Sequence, residues 1–233
     1  MYSTKEDASR VNGSRNSITK LIRSRHNTRA FSPRPVPQSK LEQALELAQL
    51  APSSLNVQPW RVTVTSGARL EKVKASLHRA FNDRVPMSLP SNVEVFARHR
   101  GMFEDQFYFS ANGFDIPRDD KHLYTHAFMK NFDFYHAPTV AIIAMDKDLG
   151  PSDILSIGLY LQTLALLLAD QGVQTCFQGT ITVWPHLVRK ELEIGDDMQL
   201  LCSLAIGYED EGKRINHMKT QRDIWRDHVQ FLD

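Results

Sequence analysis

The sequence predicts a single α+β domain, and three observations lead to that prediction. Apolar segments of strand length alternate along the 233 residues with longer segments whose apolar positions follow helical spacing. No internal repeat and no Pro- or Gly-rich linker divides the chain. Hydrophobic residues make up 42% and charged residues 24%, which is ordinary usage for a globular protein with a buried core.

Residues 1–16 are expected to form a flexible extension, followed by one domain over residues 17–233. The extension is polar throughout and lacks the apolar run that a signal peptide requires. Polar terminal segments of this kind have too little apolar surface to pack against a domain.

The first half of the domain predicts a helix, a strand and a second helix. SKLE at residues 39–42 has the S-x-x-E form of a capping box, and the apolar positions after it keep helical spacing up to Ala51. Pro52 ends this helix because it disfavours α conformation at the residue before it. Residues Trp60–Thr65 alternate with the period of a strand, and an amphipathic helix opens after Gly67.

The second half predicts three further strands and two further helices. It is preceded by an aromatic-rich segment, residues 82–131, whose irregular pattern indicates one or two helices joined by loops. The elements that follow are a central strand at Thr139–Met145, a buried helix at Asp153–Gln171, a strand at Val173–Phe177, a helix that begins at Pro185 and a strand at Leu200–Gly207.

The helix at Asp153–Gln171 is apolar on nearly every face. Its uncharged part, residues 154–169, is shorter than the roughly 20 residues that cross a bilayer and is bounded by Asp153 and Asp170, so no membrane contact is expected. One sheet can cover only part of such a helix. A second copy of the chain is the simplest cover, so the pattern predicts a homodimer.

Composition and motifs exclude several function classes. The formal net charge of +1 argues against a nucleic-acid partner. The dinucleotide fingerprint, the P-loop and the G-x-S-x-G elbow are all absent from the sequence. His122 and His126 have the spacing of metal ligands on a helix but lack a third ligand, so no metal is expected. Cys176 and Cys202 lie in apolar runs, which indicates buried reduced thiols and a cytoplasmic location.

Two short stretches carry candidate binding chemistry. SRHNTRAF, residues 24–31, has arginines at both ends of a polar run, and Arg23 precedes it. These guanidinium groups form either a solvated face or a clamp for phosphate, whose oxygens match their donor geometry. APSSLNVQPW, residues 51–60, is either a turn that ends a helix or a set of donors and acceptors for the edge of a planar heterocycle.

The order of these motifs carries a family resemblance. RHNTRAF (25–31) and APSSLNVQPW (51–60) are followed by NFDFYHAPTVAII (131–143), GLYLQTLALLLADQGVQTCFQG (158–179) and LAIGYED (204–210). Together these segments resemble the FMN-dependent nitroreductase family from about Ile22 to Arg222. The details CFQG, HLVRKELEI and AIGYED are most similar to the branch that contains nitrobenzoate-type reductases.

The resemblance implies a nitroreductase-like fold, in which helices flank a central mixed or antiparallel sheet and two chains form an intertwined homodimer. It implies that Arg25, Lys219 and Arg222 bind the phosphate of FMN. Arg29 would lie near the N1 and C2-carbonyl edge of the flavin, where a positive charge favours the reduced cofactor. The complete set of implied cofactor-binding residues is Arg25, His26, Asn27, Arg29, Pro52, Ser53, Ser54, Asn56, Gln178, Gly179, Lys219 and Arg222.

Two groups in that set have further implied positions. The residues Pro52, Ser53, Ser54 and Asn56 would reach the flavin from the other subunit. Gln178 and Gly179 would form a turn at a strand end whose backbone N–H faces flavin N5. Residues 82–131 would form the lid of a substrate pocket, and the aromatic residues expected to line it are Phe103, Phe107, Tyr108 and Phe109.

The implied activity is the reduction of nitroaromatic or quinone-like acceptors by NADH or NADPH, in a ping-pong cycle of two-electron steps. No catalytic side chain is identified, because the flavin carries the chemistry and the protein supplies binding and electrostatics. Two alternatives stay open. One is an enone reductase, dehalogenase or biosynthetic dehydrogenase on the same fold, and the other is a flavin-binding protein without turnover.

Overall fold

A four-stranded antiparallel sheet forms the centre of the computed structural model, which describes residues 18–88 and 97–232. Its strands are β1 (Arg61–Ser66), β2 (Thr139–Asp146), β3 (Gln174–Gln178) and β4 (Met198–Gly207), in the spatial order β1-β2-β4-β3. Each neighbouring pair is antiparallel. One isolated parallel bridge, between Asn27 and Thr175, adds the N-terminal segment to the outer edge of β3.

Six helices surround the sheet in the described part of the chain, beside a helical stretch at residues 18–24. They are α1 (Gln38–Ala48), α2 (Gly67–Asn82), α3 (Ala97–Glu104), α4 (Lys121–Met129), α5 (Pro151–Asp170) and α6 (Pro185–Leu192). A single π-helical turn, Asp105–Phe109, continues α3. Shorter 3₁₀ turns connect several of these elements.

The central strand β2 separates two hydrophobic cores, because successive side chains of a strand point to opposite faces of the sheet. Val140, Ile142 and Ala144 pack into the core formed by α2, α6 and the aromatic residues of 107–135. The alternate residues of β2, from Ala141 to Met145, pack into a second core with α1 and α5. The sheet is therefore covered on both faces, and the protomer is the α+β domain that the sequence predicts.

The helices and strands predicted outside residues 82–131 all exist, with ends within three residues of the expected ones. The capping box is wrong in detail. The N-cap of α1 is Pro37, and Ser39 lies within the first turn without a capping hydrogen bond. The carboxylate of Glu42 instead accepts a hydrogen bond from Gln38 Nε2 at 2.7 Å, one turn earlier in the same helix. The predicted extension at residues 1–16 lies outside the described residues.

The central helix α5 is buried on one side only. Residues Ile157, Tyr160, Leu161 and Leu164 face the second core, whereas Leu155 is 67% exposed and Ile154 and Leu159 are each more than 40% exposed. Its length and composition would allow it to cross a membrane, but its buried side packs against the sheet as a core helix. The exposed apolar strip of α5 is the surface for which the sequence predicts a cover.

Gly172 ends α5 in a Schellman motif. Its φ is +73°, and the N–H of Val173 donates to the carbonyl of Leu168 while the N–H of Gly172 donates to that of Ala169. A Cβ at this position would contact nothing within 4 Å. An alanine there is therefore penalised only through its backbone conformation.

Gly172→Ala is expected to lower the free energy of unfolding by about 1 kcal/mol, because non-glycine residues resist the left-handed conformation. The measurement is the urea midpoint at an unchanged denaturant slope. The matched control is Gly101→Ala in α3, where a Cβ also meets no atom within 4 Å and φ is not left-handed. Alanine favours helix there, so the control should lose no stability. Equal losses in both variants would contradict the role given to Gly172.

Candidate functional site

A cavity of about 910 Å³ lies between the N-terminal segment 22–29 and the tail segment 216–222. Phe103 of α3 and Glu209, just after β4, complete its wall. Six of the residues implied by the resemblance line it, and they come from both ends of the chain: Arg25, His26, Asn27, Arg29, Lys219 and Arg222. The structure therefore brings together the two distant groups that the sequence assigns to one phosphate.

The N-terminal wall of the cavity is held in place by backbone pairing. Thr28 N donates to the carbonyl of Thr175 in β3 at 3.0 Å, and Phe31 N donates to the carbonyl of Tyr135 at 3.2 Å. Thr28 and Phe31 are buried. The segment thus runs as an added strand that anchors its apolar side in the domain and leaves Arg25 and Arg29 on the cavity wall.

The lining of the cavity is strongly cationic. Five basic side chains contribute to it, those of Arg23, Arg25, Arg29, Lys219 and Arg222. Among the residues that line it, Glu209 is the one carboxylate, and its Oε2 lies 3.4 Å from His26 Nε2. The other ring nitrogen of His26, Nδ1, is 2.9 Å from the carbonyl of Ser24. This excess of positive charge suits an anionic ligand.

Arg25 is the most constrained of these cations. Its Nη1 is buried and has no hydrogen-bond partner among the residues that the structure describes. Burial lowers the pKa of the guanidinium, and the charges of Arg222 and Arg29 lower it further. A buried donor without an acceptor is costly, and a bound anion would remove that cost.

Arg29 lies on the cavity wall beside two stacked aromatic rings, those of Phe103 and Phe107. Its Cζ is 5.4 Å from the ring centroid of Phe103 and 5.2 Å from that of Phe107. Its Nη1 donates to the carbonyl of Asn27 at a long 3.4 Å. The cavity therefore has a highly cationic part around Arg25 and an aromatic edge around Arg29, which suits a ligand with an anionic group and a planar ring.

Four of the implied residues lie elsewhere in the protomer. Pro52, Ser53, Ser54 and Asn56 follow α1 and do not line the cavity. Their turn packs on the N-terminal half of α5, where Ser54 N donates to Ser156 Oγ at 3.2 Å. Leu55, Asn56 and Gln58 all have positive φ, and Leu55 is 96% exposed. Within one chain this turn belongs to the exposed apolar surface of α5.

Gln178 and Gly179 lie at the end of β3, and neither lines the cavity. Gln178 is buried, and its Nε2 donates to the carbonyl of Asn131 at 3.0 Å. Its Oε1 has no partner in the described part of the chain. Gly179 is exposed and begins a 3₁₀ turn. The implied role of this turn toward the flavin stays a prediction.

The four aromatic residues expected in a substrate pocket divide into two groups. Phe103 lines the cavity and is 36% exposed. Phe107 and Tyr108 are instead buried in the core beneath it, because the π-helical turn directs them inward. Phe109 is partly buried and packs beneath the guanidinium of Arg118, whose Cζ is 4.5 Å from the ring centroid. Within the protomer, Phe103 is the one of these four on the cavity wall.

A second cavity of about 790 Å³ adjoins the first. The two share Phe103, Thr220 and Arg222, and the second extends along α3 and the tail to His99 and Asp223. His99 Nε2 lies 2.8 Å from Asp223 Oδ2, so a hydrogen bond joins α3 to the tail at this cavity. The combined space exceeds what one small ligand fills.

Sequence reasoning missed Asn216 and Glu209 on the cavity wall. Asn216 belongs to the polar stretch after β4, where no periodicity or motif distinguishes it from solvent-exposed residues. Glu209 lies in the segment LAIGYED, for which the resemblance implies no binding role. Two further observations concern the buried cysteine and the potential metal ligands. Burial raises the pKa of Cys176 to about 12, so its thiol is protonated at neutral pH. Residues 18–88 and 97–232 contain no group of three potential metal ligands.

Comparison with known proteins supports the family resemblance over most of the chain. The model of the Nitroreductase family matches residues 22–208. A 4-nitrobenzoate reductase of Pseudomonas putida is 29% identical over 215 residues, which cover 91% of this chain and 94% of the relative. Nitroreductase NfnB of Mycolicibacterium smegmatis is 31% identical over 208 residues, which cover 87% of each.

Solved structures agree with the sequence relatives. The FMN-dependent nitroreductase NfnB from Mycobacterium smegmatis, solved in complex with NADPH, superposes on this chain with a TM-score of 0.86 at 29% identity. The superposition covers 94% of this chain and 99% of that one.

Proposed function

The chain belongs to the Nitroreductase family, and from that premise we propose that it works as a cytoplasmic homodimer whose two FMN sites are each built from both subunits. It is an FMN-dependent NAD(P)H oxidoreductase that reduces nitroaromatic compounds, as the named relatives and the NADPH-bound structure support. The single observation that carries the cofactor site is the buried, unpartnered Nη1 of Arg25 in a cationic cavity.

The residues of the cavity fit FMN in charge and in shape. A phosphate group carries nearly two negative charges at neutral pH, and Arg25, Lys219 and Arg222 offer it donors from two sides. The ring of the flavin would take the aromatic edge, beside Phe103 and Arg29. The adjoining cavity leaves room for the reductant and the acceptor next to the ring.

Bound FMN would supply two-electron transfer between NAD(P)H and the acceptor, so the chain needs no nucleophile and no acid–base pair. Its own residues hold the phosphate, orient the ring and set the electrostatic potential around it. The protonated thiol of Cys176 plays no part in that scheme.

The first test is of the cofactor and the chemistry together. The purified protein is expected to be yellow, to carry about one FMN per chain and to oxidise NADH or NADPH when a nitroaromatic compound is supplied. Stopped-flow oxidation of the reduced protein by nitro, quinone, enone and haloaromatic compounds separates the alternatives, since the fastest class identifies the acceptor. A colourless protein that gains no flavin absorbance with excess FMN would refute the proposal.

Arg25→Ala is expected to weaken FMN binding by about 1.5–3 kcal/mol, the scale of a hydrogen bond to a charged group. The measurement is a fluorescence titration of the apoprotein with FMN. Arg23→Ala is the matched control, because Arg23 lines the same cavity but is exposed and lies outside the motif. Equal losses for the two variants would indicate a diffuse basic surface in place of a phosphate clamp.

The proposed dimer rests on the exposed apolar surface of the protomer. Leu50, Leu55, Leu155 and Leu159 are exposed around α5 and the turn that packs on it. Monomers rarely expose a contiguous apolar patch of this kind. A second subunit would bury this surface and would bring the turn at Pro52–Asn56 to the cavity of its partner.

Mixing two inactive variants tests the shared site. We expect that subunit exchange between Arg25→Ala and Asn56→Ala chains returns up to half of the wild-type activity per heterodimer, because one of its two sites carries both changes and the other carries neither. Native mass spectrometry measures the exchange. If heterodimers form and the mixture stays inactive, Arg25 and Asn56 do not serve one FMN from opposite subunits.

A further inference from the structure

The backbone at Arg29 is held by a single buried carboxamide. Asn216 Oδ1 accepts a hydrogen bond from Arg29 N at 2.7 Å, and Asn216 Nδ2 donates to the carbonyl oxygens of Ala30 at 2.9 Å and Asp210 at 3.1 Å. Asn216 is 5% exposed, so water does not compete for these bonds. An asparagine can do this because its amide carries an acceptor and two donors. The tail is thereby fixed to the chain at the position of Arg29.

The guanidinium of Arg29 has a second buried polar neighbour, Tyr135, which lines a further cavity of about 360 Å³ together with Arg29. The tyrosine is 3% exposed, and its hydroxyl donates to Asn131 Oδ1 at 2.7 Å. Burial raises the pKa of Tyr135, and the nearby charge of Arg29 acts in the opposite direction. The hydroxyl is therefore neutral, and its hydrogen bond to Asn131 fixes its position beside Arg29.

Tyr135 lies in a strained stretch of backbone. Phe134, Tyr135 and His136 are three consecutive residues with φ between 50° and 65°, in the left-handed region that side chains other than glycine avoid. Such strain persists only where the surrounding structure imposes it, and it is concentrated at functional sites. Here Phe31 N donates to the Tyr135 carbonyl, and Asn131 joins the tyrosine hydroxyl to Gln178 at the end of β3.

We propose that Tyr135 and Asn216 are positioning residues, which fix the guanidinium of Arg29 against the ring of bound FMN and thereby set the reduction potential of that FMN. The inference rests on the proposed function. Arg29 occupies the aromatic edge of the cavity, where the ring fits, and Arg25 occupies the part where the phosphate fits. A fixed positive charge at the ring favours the electron-rich reduced form, and a loosened one favours it less.

The experiment compares Tyr135→Phe with the wild type by equilibrating the holoproteins with a redox dye. At a fixed dye potential, we expect the ratio of reduced to oxidised FMN to fall about tenfold, which corresponds to about 30 mV for a two-electron couple. The Kd of oxidised FMN should change less than about twofold, because the phosphate contacts are unaltered. If Tyr135 had a merely structural role, Tyr135→Phe would weaken the binding of oxidised and reduced FMN equally and would leave the reduction potential unchanged.

Tyr160→Phe is the matched control. It removes a buried hydroxyl that has no partner in the described residues, and Tyr160 belongs to the core on the other face of the sheet. Its ratio of reduced to oxidised FMN should equal that of the wild type.

Asn216→Ala provides a second variant, in which the hydroxyl of Tyr135 is kept and the backbone anchor of Arg29 is lost. It should lower the ratio of reduced to oxidised FMN, as Tyr135→Phe does.

A double-mutant cycle decides whether both residues act through Arg29. In an Arg29→Gln background, Tyr135→Phe and Asn216→Ala should produce no additional shift in the potential. A full shift in that background, or wild-type potentials in both single variants, would overturn the proposal while FMN binding still supports the proposed function. If the wild-type chain binds no FMN, the proposed function has failed first.

Discussion

The unpaired positive charge around Arg25 is the constraint on which the rest of the site depends. A guanidinium nitrogen is buried without a partner among the described residues, and two further arginines raise the local potential. Among the described residues that line the cavity, Glu209 is the one carboxylate that offsets this charge. A ligand that binds the folded state and not the unfolded one adds to stability by mass action. An anion bound in this cavity would therefore contribute to the fold as well as to the chemistry.

The two ends of the chain meet at this cavity despite its concentration of positive charge. The N-terminal wall pairs with β3 through Thr28, and the tail is attached to it through Asn216. Both attachments use buried hydrogen bonds, so the cations they carry are held close together despite their repulsion. Asn131 then joins the hydroxyl of Tyr135, which lines a cavity together with Arg29, to Gln178 at the strand end. Residues from four separate parts of the sequence are thus fixed relative to one another around the cavity.

A feature of this structure could be predicted from the sequence only where neighbouring residues in the chain cause it. The strand β2 and the helix α5 follow from their apolar patterns, and the Schellman end of α5 follows from Gly172. The residues expected to bind the phosphate of FMN could be named because two motifs, in this order along the chain, resemble one family. The π-helical turn that buries Phe107 and Tyr108 could not be predicted, since its cause is tertiary packing beneath Arg29. Asn216 carried no local signal, because two of its partners, Arg29 and Ala30, lie at the other end of the chain.

The single chain leaves two features that the proposed dimer would complete. Its cavity gathers the residues from both chain ends but lacks the turn at Pro52–Asn56, and its exposed apolar surface is centred on α5, where that turn packs. Three left-handed residues hold the turn in a shape that exposes Leu55 almost completely. Backbone strain and apolar exposure both carry a cost in an isolated chain. Burial of Leu55 and the α5 strip against a second subunit would offset both costs, and it would complete the cofactor site in the same step.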